Sequence, residues 1–329
     1  MQEVFPNVYM IPVPLTGNPL KELNCFVIKG SNRNLVVDVG FDTEEGRERI
    51  KSGLKELKCD PECTDLFITH AHEDHIGAMV SLREEGCFYN TYISEKEAWF
   101  YNDIRVNGLG NQVFEMAKWE GFSEEEGKEA FLTHPAAKNR GGKQPVSFVT
   151  VHDGDILDLG DFTFRVCVFP GHTLGLAALY EEKKKLLFSG DHILGKITPN
   201  ITFWRLDFDA LGEYMRSLKR AYGFDVEHLF SAHRNLVPDM RERIRELLEH
   251  HRRRLDEVLD LLSAKQKPMN VCQVAEGMRW DYAGGDFKRF AITQKWFATG
   301  EAFAHLEHLY AEKTIYRKEE QGTFYYFIK

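Results

Sequence analysis

No stretch of the 329 residues approaches the ~18 consecutive apolar side chains that a membrane-spanning helix needs. A membrane span is therefore not expected. Met1-Gln2-Glu3-Val4-Phe5-Pro6 lacks the basic region and apolar stretch of a secretory leader. Positive charge is short: 42 Lys+Arg stand against 51 Asp+Glu, a net charge of −9. The shortage is uneven. Residues 251–329 carry 13 Lys+Arg and 11 Asp+Glu, leaving the first 250 residues at 29 against 40, a net −11. A chain of that sign is a poor general binder of polyanions. The six cysteines, Cys25, Cys59, Cys63, Cys87, Cys167 and Cys272, make no disulfide framework, so a reducing cytoplasm is the expected compartment. Cys25 and Cys167 lie in strand-like apolar runs and read as small core residues. Cys59 and Cys63 form a C-x3-C, but no second pair completes a zinc site.

What is present is ordinary in bulk and unusual in one place. A 43% hydrophobic, 28% charged composition suits a globular chain with a real core, and the length allows one large domain or a large one plus a small one. The unusual place is Thr69-His70-Ala71-His72-Glu73-Asp74-His75-Ile76-Gly77. With only 13 histidines in the chain, three of them beside Asp74 within positions 70–75 is not a chance grouping. Leu66-Phe67-Ile68 before it reads as a buried strand, and Ile76 to Leu82 after it reads as the start of a helix. The histidines thus fall on a strand-end loop, where function concentrates. In an extended loop positions 70 and 72 project to the same side and can grip one ion. Asp74 and His75 turn toward a second position. Imidazole is a common ligand for zinc and similar borderline metals.

Three later blocks also end apolar runs: Pro170-Gly171-His172-Thr173, Ser189-Gly190-Asp191-His192 and Ser231-Ala232-His233. Leu35 to Gly40 is a further buried strand, ending in the Asp38 carboxylate. Alternating strands and helices in two strand groups suit two packed sheets covered by helices. The four blocks together resemble the HxHxDH signature and later ligand blocks of the metallo-β-lactamase superfamily, over roughly residues 5–240. The resemblance implies an α/β fold, an αββα sandwich of two mixed β-sheets, with its metal site at one edge. It assigns His70, His72 and His172 to a first metal, Asp74, His75 and His233 to a second, and Asp191 as the bridge. It places Asp38 beneath the centre, orienting a ligand, and gives Asp74 a catalytic role in taking or passing on a proton. The implied cofactor is two divalent ions, zinc foremost, with iron or manganese as alternatives. Ions ~3.5–4 Å apart can share a water and lower its pKa from ~15.7 toward ~7. The resulting hydroxide attacks a carbonyl, and the ligands resemble those of glyoxalase II. The expected reaction is hydrolysis of a small-molecule thioester, ester or lactone.

Residues 95–147 interrupt this pattern. Glu95 to Asp103 and Gln112 to Gly121 read as aromatic-rich helices with Trp99, Phe100, Tyr101, Phe114 and Trp119. Ser123-Glu124-Glu125-Glu126 opens a third, running to about Leu132, and Asn139 to Lys143 is a loop. The insertion is expected to be a lid or pocket wall for a substrate with an acyl or aromatic portion. Ile197 to Trp204 is an aromatic loop near the expected metals. The candidate pocket residues are Trp99, Tyr101, His192, Phe203 and Trp204. Asp153-Gly154, between Phe148–Val151 and Ile156–Leu159, signals a hairpin or tight turn.

The expected division is a metallo-hydrolase domain at 1–245, carrying the insertion, and a C-terminal domain at 246–329. In the latter, helices at 240–264, 271–279 and 291–311 precede two strands, Thr314–Arg317 and Thr323–Phe327, an order that resembles a winged helix. Between Ala291 and Ala311 only Lys295 is basic, while Glu301 and Glu307 are acidic. Packing or homodimerisation is expected there rather than DNA binding. A phosphodiesterase or endoribonuclease could use the same cradle, but the acidic first 250 residues lack phosphate-binding charge. A non-catalytic metal-binding or regulatory protein would not need all seven ligands.

Overall fold

The computed structural model describes residues 1–133, 141–281 and 286–329. Asn139 and Arg140 of the expected loop lie outside them. The chain divides into two compact units. The first is Met1–Asn102, Val146–Pro199 and Ser217–Ile244; the second is Asp103–Pro145, Asn200–Arg216 and Arg245–Lys329.

In the first unit, a seven-stranded sheet runs in chain order: β1 (Gln2–Phe5), β2 (Val8–Pro14), β3 (Glu22–Lys29), β4 (Asn34–Val37), β5 (Thr64–Phe67), β6 (Thr91–Ser94) and β7 (Val149–Val151). β1 to β4 pair antiparallel and β4 to β7 pair parallel. A five-stranded sheet holds β8 (Ile156–Asp158), β9 (Thr163–Val168), β10 (Ala177–Glu181), β11 (Leu186–Gly190) and β12 (His228–Ser231), with only the β11–β12 pair parallel. β3 is buried through almost its whole length because both its faces are covered. Phe26 and Ile28 pack against Phe164, Val166, Phe188 and Phe230 between the sheets. Cys25 and Val27 face the other way, toward Ile50, Leu54, Ile76, Met79 and Leu82. Those residues belong to α1 (Glu44–Glu56), α2 (Glu73–Ile76) and α3 (Met79–Glu84). Each such large apolar side chain contributes about 1.5–3 kcal/mol by leaving water. β6 runs directly into α4 (Glu95–Asn107), and α5 (Gly110–Glu120) and α6 (Glu124–Thr133) follow in the second unit. α7 (Ala210–Tyr222) brings Ser217 and Arg220 onto the outer side of the second sheet, where they donate to the Pro170 and Val168 carbonyls at 2.8 and 3.1 Å. The layers are therefore helix, sheet, sheet, helix, as the resemblance implied.

Two expectations change in detail. β4 stops at Val37, and Asp38 turns into the left-handed region at φ 59°. Asp is among the few residues that tolerate this backbone. The Asp153-Gly154 turn forms, with Gly154 at φ 94°, but β7 and β8 do not pair as a hairpin. β7 edges the first sheet and β8 the second, so the turn is the crossover between sheets. Alternation names a strand, not its neighbour.

The second unit holds α5, α6, most of α8 (Met240–Lys265), β13 (Met269–Asn270), α9 (Val271–Gly277), α10 (Ile292–Ala311), β14 (Tyr316–Glu320) and β15 (Thr323–Phe327). The small sheet is ordered β13-β15-β14. Val258, Val274, Phe303, Phe324 and Tyr326 form its core together with Phe203. Phe203 was expected at a pocket wall. It is instead 1% exposed and stacked on Phe303 at 4.1 Å, a core position. The aromatics of α5 also serve packing: Trp119 stacks on Phe324 at 5.6 Å, and Phe114 meets Phe131 at 5.3 Å. Among the described residues no helix is long and apolar enough to cross a membrane.

Glu120, at the end of α5, is fully buried, and among the described residues neither carboxylate oxygen has a hydrogen-bond partner. Burial alone raises its pKa well above the ordinary value. An unfolded glutamate ionises near ~4.3. Above that pH the folded chain keeps a proton that the unfolded chain has lost, so stability falls as pH rises until the folded carboxyl ionises. Glu120→Gln is neutral throughout. Its melting temperature relative to the parent is expected to be higher at pH 8 than at pH 5, and a difference independent of pH in thermal denaturation would refute the assignment.

Candidate metal centre

The centre is assembled from strand ends. Beyond β5, His70 and Ala71 lead to His72, which holds φ −69°, ψ 143° and starts the single turn of α2. The His72 carbonyl accepts from the His75 and Ile76 amides at 2.9 and 3.0 Å, which fixes Asp74 and His75 on that turn. His172 follows β9, Asp191 follows β11, and His233 follows β12. Gly190 has φ 53°, and a Cβ there would lie 2.9 Å from the Thr69 side chain. Only glycine lets the β11 end approach the histidine loop this closely. Asn24 secures the β12 end, donating to the Ser231 and Arg234 carbonyls at 3.0 and 2.9 Å.

The chain brings all seven expected ligands together. Three overlapping groups, His70/His72/His172, His70/His75/Asp191 and Asp74/His75/His233, each have ligand atoms within 4.8 Å of one another. His70 Nε2 and His172 Nε2 lie 2.9 and 3.1 Å from His72 Nδ1. On the other side, His75 Nε2 lies 3.2 Å from His233 Nε2, and Asp74 Oδ2 lies 3.5 Å from His233 Nε2. Asp191 sits between them. Its Oδ1 is 3.5 Å from both His75 and His233 Nε2, and its Oδ2 is 3.8 Å from His172 Nε2.

Partners on the far ring nitrogens set the tautomers. Asp38 Oδ2 accepts from His75 Nδ1 at 2.7 Å, and the Glu22 carbonyl accepts from His233 Nδ1 at 3.0 Å. Thr69 Oγ1 donates to Asp38 Oδ2 at 2.7 Å and can accept from His70 Nδ1 at 3.0 Å. Each bond leaves an Nε2 lone pair facing the centre. Electrostatics divide the cluster. Burial and the neighbouring imidazoles push His70 well below its ordinary pKa. Burial and His172 push His72 down to about 3. Burial opposes charge on His75 and His233 too, but Asp191 with Asp38, and Asp191 with Asp74, outweigh it and raise both. Burial also opposes charge on Asp74, yet His233 and His75 pull it to about 2, and His233 and His75 likewise lower Asp191. Among the described residues Asp191 Oδ1 is buried without a hydrogen-bond partner. Ionised carboxylates, converging lone pairs and one orphaned buried oxygen are the donor set of a cation site.

The expected pocket residues do not share one role. Trp99 is 53% exposed on α4, Tyr101 packs edge-on against Phe148 at 5.7 Å, and Trp204 is half-buried. His192 is fully buried and stacked on Phe169 at 4.5 Å, with burial lowering its pKa to about 3. Its ring lies in the interior and not at an open, solvent-facing wall. Thr69, Asn24 and Glu97 were missed. Asn24 carried a signal, a lone amide inside an apolar strand. Glu97 carried none, because an acid in the first turn of a helix is ordinary.

Residues 21–233 match the family model described as Metallo-beta-lactamase superfamily, and residues 255–329 match Metallo-beta-lactamase-like, C-terminal domain. Hydroxyacylglutathione hydrolase GloC of Haemophilus influenzae is 25% identical over 217 residues, spanning 64% of this chain and 83% of that protein. Acyl-coenzyme A thioesterase MBLAC2 of Homo sapiens is 26% identical over 207 residues, spanning 60% of this chain and 66% of that protein. A metallo-beta-lactamase family protein of Thermus thermophilus superposes with a TM-score of 0.80 at 26% identity, covering 99% of this chain and 100% of that one.

Proposed function

The chain belongs to the metallo-β-lactamase superfamily, and from that premise we propose that it is a dinuclear metal-dependent hydrolase of acyl thioesters. The observation that carries this reading is the convergence of five imidazoles with the Asp74 and Asp191 carboxylates in three overlapping groups. Two relatives bear the names of hydrolases of acyl-coenzyme A and of hydroxyacylglutathione, both thioesters by their chemistry. The six thiols are free, which suits a reducing compartment such as the cytoplasm.

His70, His72 and His172 would hold one ion and Asp74, His75 and His233 the other, with Asp191 facing both. Nitrogen and carboxylate donors without sulfur suit zinc first, and iron or manganese next. Two such ions supply a water ionised near neutral pH and positive charge for the developing oxyanion. The chain's own contribution is to hold His70, His75 and His233 in the tautomers that aim Nε2 inward, while His72 presents Nδ1. Asp74 is held ionised at neutral pH, which suits a ligand to a cation better than a store for a proton.

The purified chain is expected to bind two equivalents of zinc and to turn over small acyl thioesters, with His72→Ala abolishing both turnover and full loading. RNA or bis-p-nitrophenyl phosphate cleavage with thioesters untouched would replace this reading with a phosphodiesterase. Asp38→Asn offers one acceptor oxygen where Asp38 uses two, for Thr69 N, Thr69 Oγ1 and His75 Nδ1. Zinc titration is expected to give about 10–100-fold weaker binding in that variant; unchanged affinity would remove Asp38 from the centre.

A further inference from the structure

Glu97 is a buried carboxylate that the hydrolytic chemistry does not call for. It lies in the first turn of α4 and is 0% exposed. Its Oε2 accepts from the Ala71 amide at 2.8 Å, and its Oε1 accepts from the Gly175 amide at 2.7 Å. Ala71 lies between His70 and His72. Gly175 ends the loop that begins with His172. The same turn holds Gly175 from its other side: Ser94 Oγ donates to the Gly175 carbonyl at 2.6 Å, and a Cβ at Gly175 would lie 2.8 Å from Lys96 Cβ.

We propose that Glu97 is a positioning residue that locks the two loops carrying His70, His72 and His172 into one ligand set. The proposal rests on the metal-centre reading above. Its two backbone partners are N–H groups, which only donate, and the Thr173 hydroxyl next to His172 is a further neighbour. A carboxylate can accept with each of its oxygens, whereas glutamine has one acceptor and would turn an NH2 against the second amide. His75 and His233 are braced elsewhere, by Asp38 and by the Glu22 carbonyl. The effect of Glu97 therefore falls on the three-histidine position and spares the other.

The test compares full-length wild type, Glu97→Gln and Glu97→Asp. Amide hydrogen exchange at Ala71 and Gly175 is read in the metal-free chain, and cobalt(II) titration is followed by its visible absorption. In Glu97→Gln both amides are expected to exchange faster, and one of two cobalt equivalents to bind about 10–100-fold more weakly, with the other unchanged. Glu97→Asp keeps two acceptors on a shorter arm and is expected to fall between. A role limited to filling space predicts no effect of the isosteric glutamine. Unchanged exchange in Glu97→Gln, or two equivalents bound as tightly as in wild type, overturns the proposal alone. A wild-type chain that takes up no cobalt overturns the metal centre itself.

Discussion

Asp38 accepts three hydrogen bonds at 2% exposure, from the Thr69 amide at 2.8 Å and from Thr69 Oγ1 and His75 Nδ1 at 2.7 Å each. Much of the centre depends on that one carboxylate. A buried charge is tolerated only when its lone pairs are answered, and here the groups that answer it carry or adjoin His70 and His75. Solvating Asp38 and aiming the imidazoles are one event. Each donor left unpaired would cost about 1–3 kcal/mol, so the loop cannot drift from its place without penalty. The left-handed backbone at Asp38 is what brings the carboxylate under the loop, and the surrounding bonds hold that conformation in place.

The sandwich makes such a meeting feasible. The histidine loop leaves the first sheet through β5, whereas His172, Asp191 and His233 leave the second through β9, β11 and β12. No single sheet could place these side chains around one point, because neighbouring strands lie ~4.8 Å apart in a row. Two sheets facing one another put strand ends opposite each other. Asn24 of β3 in the first sheet donates to backbone carbonyls at the end of β12 in the second, so the sheets are joined by a polar bond beside the centre as well as by their apolar faces.

The convergence of these seven side chains was legible in the sequence because their chemistry and their location agree. Imidazoles and carboxylates at the ends of apolar runs are costly unless used, and four such blocks read together specify a site. The braces were less legible. Thr69, Asn24 and Glu97 act through bonds to backbone or to one neighbour, and nothing in residue spacing marks such a bond. Phe203 was misplaced for a related reason. An aromatic in a loop between ligand blocks has the same composition whether it lines a cavity or fills a core, and only Phe303 beneath it decides. The helices at 110–133 were found, but their use was not: the Val113, Ala117 and Ala130 side chains close on Trp296, more than 160 residues along the chain.

Electrostatics and geometry together bear on what the cluster is built to receive. Asp74 and Asp191 are held ionised and must be answered by positive charge. Protons on His75 and His233 are one answer, and the raised pKa of both follows from it. That answer fails geometrically. Protons on both Nε2 atoms together would fill the lone pairs that the partners on Nδ1 have turned inward, and would set two donors 3.2 Å apart. Asp191 Oδ1 would then be met only at 3.5 Å by each of those nitrogens, longer than a good hydrogen bond. On the other side His70 and His72 are pushed down, so they offer lone pairs and resist protons altogether. A cation satisfies both sides at once: it answers the carboxylates and accepts every inward lone pair. The imidazoles that refuse protons and those that attract them are then two parts of one demand.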